Sequence, residues 1–225
     1  MKNYIFDLYG TLADISTDES TPRFINKINR HFASDNFSDE YLKACKTFET
    51  GDGFCEIDLL KVFEKILNCP KVEALRAALY FRKKSRSGLK VYRGVRALLG
   101  ELKQRGKKLY ILSNAQACFT DAELDKLKIK KYFDGVELSS DFGRKKPCKA
   151  FFSHVLEKYV LDPEETIFVG NDIESDIRGA KSVGLKTAYI LSNLSPEGDS
   201  VEKAGQIADF ATCGFKDLAD YLLSL

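Results

Sequence analysis

Asp7 sits directly after a short apolar run, Tyr4-Ile5-Phe6, and ahead of Leu8-Tyr9-Gly10-Thr11-Leu12. A carboxylate at the carboxyl end of a strand lies where open α/β sheets bind their ligands, and there it can attack an electrophile or hold a cation. The same residue can equally well cap the turn that follows, so it needs corroboration. Ser113 and Asn114 close a second apolar run, residues 109–112, with a hydroxyl and an amide suited to an oxyanion. Gly143-Arg144-Lys145-Lys146-Pro147 offers positive charge just before a helix whose start the proline fits. A further run, residues 166–169, empties into Gly170-Asn171-Asp172-Ile173-Glu174-Ser175-Asp176. Carboxylates this close repel unless a cation lies between them, and an oxygen-only donor set suits Mg²⁺. Each signal has a bland alternative: Ser-Asn is turn chemistry, a basic loop is often only solvated, and acids favour helix N-termini.

These groups meet only if the runs that carry them are neighbours in one sheet. The runs at 4–6, 109–112, 135–138, 166–169 and 187–191 are short and rich in β-branched and aromatic residues, as buried strands are. Between them lie amphipathic stretches of helix length. Leu98, Leu99 and Leu102 share one face of 95–105, and Phe151, Val155 and Tyr159 share one face of 150–159. Strands alternating with helices predict an α/β fold, a Rossmann-like parallel sheet flanked by helices. Residues 15–88 break the alternation and read as helices over 23–32, 39–48, 57–67 and 71–84. A helical cap domain at 15–88, inserted into a core of 1–14 and 89–225, is the expected organisation. The polar flanks at 14–21 and 83–90 fit two hinge strands.

A chain of 225 residues with a formal charge of +2 has no global field to hold nucleic acid or an anionic membrane, so neither is expected as a partner. Any anion must be held by local chemistry. The N-terminus lacks the long apolar stretch of a signal peptide and no run is long enough to span a bilayer, which predicts a cytoplasmic protein, a monomer or weak dimer. Cys45, Cys55, Cys69, Cys118, Cys148 and Cys213 form no Cys-x-x-Cys pair and read as reduced, mostly buried thiols. His31 and His154 have no companion at metal spacing and receive no role.

The order and context of the four polar elements resemble the haloacid dehalogenase (HAD) superfamily: a nucleophilic aspartate in D-x-x-G-T, a strand-terminal serine, a lysine followed by proline, and an acidic fourth motif. Tyr92-Arg93-Gly94-Val95, Ile207-Ala208-Asp209-Phe210 and the helical insertion also look like members with a first-type (C1) cap. The resemblance implies that Asp7 attacks a phosphoryl group to form an aspartyl-phosphate. It places Mg²⁺ on the Asp7 carboxylate, the Tyr9 main-chain carbonyl and a side chain of the acidic motif, for which Asp172 is chosen and Asn171 is the alternative. Thr11, Ser113, Asn114 and Lys146 would bind the substrate, Ser113 and Lys146 also serving catalysis, and Asn171 and Asp176 would stand behind the metal ligands. A small phosphorylated metabolite is the implied substrate.

Tyr9 departs from the phosphatase pattern, in which a second aspartate two residues after the nucleophile protonates the leaving group. A phenol with a reference pKa of about 10 is a poor general base at neutral pH, so slow turnover is expected. D-x-Y-G-T also resembles the L-2-haloacid dehalogenases, which displace halide without metal. Those carry a tyrosine six residues beyond the lysine, where this chain has Phe152, and their fourth motif is serine- and asparagine-rich. The acidity of the fourth motif weighs towards phosphate. A third reading, a binding protein with weak catalysis, follows from the same loss. The cap would choose the substrate, with Thr50-Gly51-Asp52-Gly53-Phe54 either reaching the site or forming a plain turn, and Arg23, Arg82 and Arg86 either meeting an anionic substrate or, as is more common, standing as surface arginines.

Overall fold

The computed structural model of the protein describes residues 1–48 and 53–225. All four residues of β1 (Asn3–Phe6) are buried; Tyr4 and Phe6 pack on one side of the sheet and Ile5 on the other. This is the two-residue alternation of a strand covered on both faces. The chain then leaves the sheet through β2 (Ala13–Thr17). It makes α1 (Pro22–His31), α2 (Phe37–Phe48), α3 (Leu59–Leu67) and α4 (Lys71–Ser85), and returns through β3 (Arg86–Val91), which pairs antiparallel with β2. Local signals set these helices. Thr21 caps α1 by accepting from the Phe24 amide with Pro22 in the first turn, and Asp58 caps α3 by accepting from the Leu60 amide. Their apolar faces build a second core around Ile28, Val62 and Phe63, which Phe119 enters from outside the insertion, with Phe24 edge-on to Phe81 at 5.1 Å.

The rest of the chain alternates. α5 (Val95–Gln104), β4 (Lys108–Ser113), α6 (Ala117–Leu127), β5 (Gly135–Leu138), α7 (Ser139–Phe142) and α8 (Lys149–Lys158) build one half. β6 (Thr166–Gly170), a π-helical turn (Ile173–Arg178) leading into α9 (Gly179–Lys181), β7 (Lys186–Ile190), α10 (Val201–Gly205), β8 (Phe210–Thr212) and α11 (Phe215–Ser224) build the other. Among the described residues the strands form one six-stranded sheet in the order β5-β4-β1-β6-β7-β8, parallel at every pairing. Phe6 pairs with Ile111 on one side and Val169 on the other, so β4 and β6 flank β1 and all three end at one level. The chain winds outward from β1 in both directions, and its carboxyl-end crevice is where such sheets bind ligands.

Two expectations change in the structure. Pro147 precedes the cap residue Cys148 instead of opening α8, and it follows a cis bond from Lys146. The cysteines are not mostly buried: Cys148 is buried, Cys213 is exposed and the other four lie between, with no disulfide among them. Among the described residues, no helix is long and apolar enough to cross a membrane.

Candidate active site

Asp7, Ser113 and the Asn171–Asp176 segment leave three neighbouring strands at the same edge, and Lys146 reaches them from the loop before α8. Asp7 Oδ1 accepts from Ser113 Oγ at 3.0 Å and from Lys146 Nζ at 2.7 Å, and the same ammonium donates to Asp176 Oδ1 at 2.6 Å. Asp176 Oδ2 accepts from the Asn171 and Asp172 amides at 3.0 and 3.2 Å, which folds the acidic segment back under the site. Two glycines permit this closeness. A Cβ on Gly10, whose φ is +90°, would stand 2.3 Å from Asn171 Nδ2, and one on Gly170 would stand 2.3 Å from Asp176 Oδ2.

Lys146 and Asp176 are almost wholly buried, and Asp7 is 7% exposed. Burial works against the Lys146 ammonium, but Asp176 and Asp7 outweigh it and hold the lysine firmly charged. One ammonium cannot compensate two buried carboxylates. The excess falls on Asp176, whose pKa is pushed above the usual carboxylate range, by burial first and by Asp7 also, with Lys146 pulling it back. With both carboxylates ionised the trio carries one surplus negative charge, which a proton on Asp176 or a cation in the cavity offsets. Asp7 Oδ2 has, among the described residues, one long contact of 3.4 Å from Thr11. Asp172 caps the π-helical turn by accepting from the Ser175 amide at 2.8 Å and borders the same cavity, of about 180 Å³, as Asp7 and Tyr9. Among the described residues no three His, Cys, Asp or Glu side chains form a ready metal cage. Two carboxylates and a carbonyl beside surplus negative charge nonetheless fit Mg²⁺, which binds through few protein ligands and keeps waters and substrate oxygens.

Thr11 and Asn114 brace the site. The Thr11 hydroxyl, 1% exposed, has one proton to share between Asn171 Oδ1 at 3.1 Å and Asp7 at 3.4 Å, and the shorter contact ties the first loop to the fourth. Asn114 accepts from the Lys146 amide at 2.7 Å and donates to the Lys146 carbonyl at 3.0 Å, which fixes the loop that delivers the ammonium. Thr11 is buried in these contacts, whereas Asn114 is exposed, lines the cavity and keeps one N–H beyond its bond to Lys146.

The Tyr9 hydroxyl donates to Glu123 of α6, and Thr120 Oγ1 lies 3.4 Å away. Burial first, then the Glu123 charge and hydrogen bond, push the phenol far above its ordinary value. Glu123, 1% exposed, also receives Arg82 Nε at 2.9 Å and Arg86 Nη1 at 2.6 Å. Arg82 and Arg86 are therefore partly buried partners of a core carboxylate and not freely solvated surface arginines. Sequence reading misses Glu123, although Phe119, Glu123 and Leu127 stand four apart on one buried face and an acid inside an apolar stripe is a readable signal. Tyr9→Phe is expected to cost about 1 kcal/mol in urea unfolding and to leave phosphate release within about threefold, because the lost hydrogen bond is structural. A loss of a hundredfold would make the hydroxyl an acid–base group.

The loop at 50–54 is described in part: Thr50, Gly51 and Asp52 lie outside the described residues. Phe54 is 37% exposed and is not among the cavity-lining residues described; its carbonyl accepts from the Lys145 amide at 2.9 Å. Glu56 accepts from Ser139 Oγ at 2.6 Å and Gln116 Nε2 at 3.2 Å, so this segment docks on the lysine loop and the start of α6. Ser175, Leu194 and Pro196 also line the cavity and are absent from the sequence expectations.

The sequence profile of haloacid dehalogenase-like hydrolases matches residues 4–190, and the chain belongs to that family. It is 28% identical to a glyceraldehyde 3-phosphate phosphatase of Pyrococcus furiosus, over 100% of this chain and 89% of that one. It is 34% identical to a ribulose-1,5-bisphosphate 5-phosphatase of Halopiger xanaduensis over 49% of this chain, a match that spans about half (45%) of that relative. Among solved structures, a HAD phosphatase from Thermococcus onnurineus superposes with a TM-score of 0.65 at 24% identity, covering 99% of this chain and 98% of that one. That likeness shows the fold.

Proposed function

We propose that this chain is a Mg²⁺-dependent phosphatase of small phosphorylated metabolites that works through an aspartyl-phosphate on Asp7. The observation that carries the reading is the setting of Asp7, with Oδ1 held by Ser113 and Lys146 and the residue lining a cavity that Asp172 and Asp176 also border. Asp7 Oδ2 bonds to phosphorus as the bond from phosphorus to the ester oxygen breaks, and water then displaces phosphate and restores the carboxylate. Lys146 and Ser113 fix the carboxylate's orientation and offset charge repulsion. Asp7, Asp172 and the Tyr9 carbonyl would hold Mg²⁺, which when bound neutralises the phosphoryl oxygens. Tyr9 is committed to Glu123, so the leaving alcohol takes its proton from solvent and turnover is slow. The residues at 15–88 serve as the cap over this site.

The experiment is phosphate release from a panel of small esters with Mg²⁺, with chelator, and with Mg²⁺ restored, alongside halide release from 2-haloacids. Release that falls by at least ~10-fold in chelator and returns with the metal is the expected result. Halide release without metal would replace this reading with the dehalogenase one that Tyr9 favours. Silence in both assays would point to a binding protein.

A further inference from the structure

Leu194 and Pro196 are the aliphatic side chains of a cavity otherwise lined by the charged and polar groups of the four motif segments and by Tyr9. Both belong to the loop between β7 and α10, far in sequence from the insertion expected to govern specificity. The loop is tied at both ends. Asn193 accepts from Tyr92 Oη at 2.6 Å and donates to Asp14 at 3.0 Å, which binds it to the roots of both hinge strands. Asp199 accepts from the Ile173 amide at 2.9 Å, which binds it to the acidic segment. Between these anchors Ser192 accepts from the Leu194 amide at 3.2 Å. Leu194 is thus held at the cavity rim with 37% of its surface exposed, an apolar group with a fixed position and an open face.

The geometry points to Leu194 and Pro196 as the wall that packs against the substrate's organic part and selects phosphate monoesters in which that part is short and uncharged. This rests on the phosphatase reading above and narrows it. Size is the first argument. The cavity of about 180 Å³ is well below the ~300–1,000 Å³ of sites for drug-sized ligands, so a phosphoryl group takes much of it and the organic part meets the rim at Leu194. Charge is the second. Lys146 is the one cation among the described lining residues, and it is already shared by Asp7 and Asp176, so a second phosphate or a carboxylate finds no partner there. An apolar wall also leaves such a group desolvated without compensation.

The test measures kcat/KM for ethyl, glycerol, hexose and phenyl phosphates and phosphoglycolate, and in parallel the Mg²⁺-dependent binding of methyl-, propyl- and phenylphosphonate and phosphonoacetate. Wild type, Leu194→Ala and Leu194→Arg are compared. Wild type is expected to favour the short neutral members. A methylene in an apolar pocket discriminates by ~10–200-fold, so Leu194→Ala should shift the phenyl-to-ethyl ratio by at least ~10-fold. Leu194→Arg should raise the ratio of carboxylated to neutral members. Ratios unmoved by both variants, with hydrolysis intact, overturn the wall and leave the phosphatase reading standing. Phosphonate selectivity that follows Leu194 without any hydrolysis sustains the wall and overturns the phosphatase. Loss of both readouts, with no hydrolysis and no phosphonate binding at any size, overturns both.

Discussion

Asp7→Asn is expected to lose phosphate release by on the order of 10⁴-fold or more, the scale on which removal of a covalent nucleophile acts, while the protein becomes no less stable. The two halves of this result have one cause. In the wild type Asp7 and Asp176 share one buried ammonium, so ionising both leaves the trio with a net negative charge, the repulsion that raises the Asp176 pKa. An amide at position 7 removes that surplus, keeps an oxygen for Ser113 and Lys146, and leaves the Lys146–Asp176 pair at 2.6 Å. A structural aspartate would do the reverse, losing stability and little rate. Urea unfolding in chelator, together with phosphate release in saturating Mg²⁺, separates the cases. More than about a hundredth of the activity surviving would place the nucleophile elsewhere.

Lys146→Met carries the opposite signature in stability. It strands two carboxylates in a site where Asp176 is 1% and Asp7 7% exposed. Removing one partner of a buried ion pair costs about 3–5 kcal/mol, since the remaining charge has neither water nor counterion. Rate falls as well, because Asp7 loses the contact that orients it. The decisive measurement is the double variant. Asp7→Asn added to Lys146→Met takes away one stranded charge, so the pair should be more stable than Lys146→Met alone, with costs that fail to add because the residues touch. Additive costs would mean that the lysine acts on stability through something other than Asp7.

What was legible in the sequence follows from how local each signal is. β1, β4 and β6 are apolar runs whose ends carry Asp7, Ser113 and Asn171, and strand ends are where a parallel sheet gathers its ligands, so the convergence of these three residues is legible in the sequence. The partners of those side chains were not legible. That Thr11 turns to Asn171, 160 residues away, and Asn114 to the Lys146 main chain depends on how loops from separate strands cross. Glu123 meets Arg82 and Arg86 across 41 and 37 residues, and those arginines, standing in a basic stretch at the end of α4, look in sequence like any solvated run. The loop carrying Leu194 reads as turn-forming Ser, Asn, Pro and Gly. Its return to the cavity rim is a property of the hydrogen bonds at Asn193 and Asp199, which join segments distant in the chain.

The core built by α1 to α4 is completed from outside the insertion: Phe119 of α6 is 5% exposed within it, and Arg82 lies over the Phe119 ring at 5.1 Å. The hinge strands are therefore not the true seam of the molecule. A chimera that grafts residues 15–88 onto another family member would leave behind the phenylalanine that fills its core and the glutamate that neutralises its two arginines. Deleting the same residues would bare an aromatic face on the remaining sheet domain. Leu124 and Leu127 of the same α6 pack in the core under the sheet, so an exchanged insertion needs a receiving domain that already offers Phe119 and Glu123.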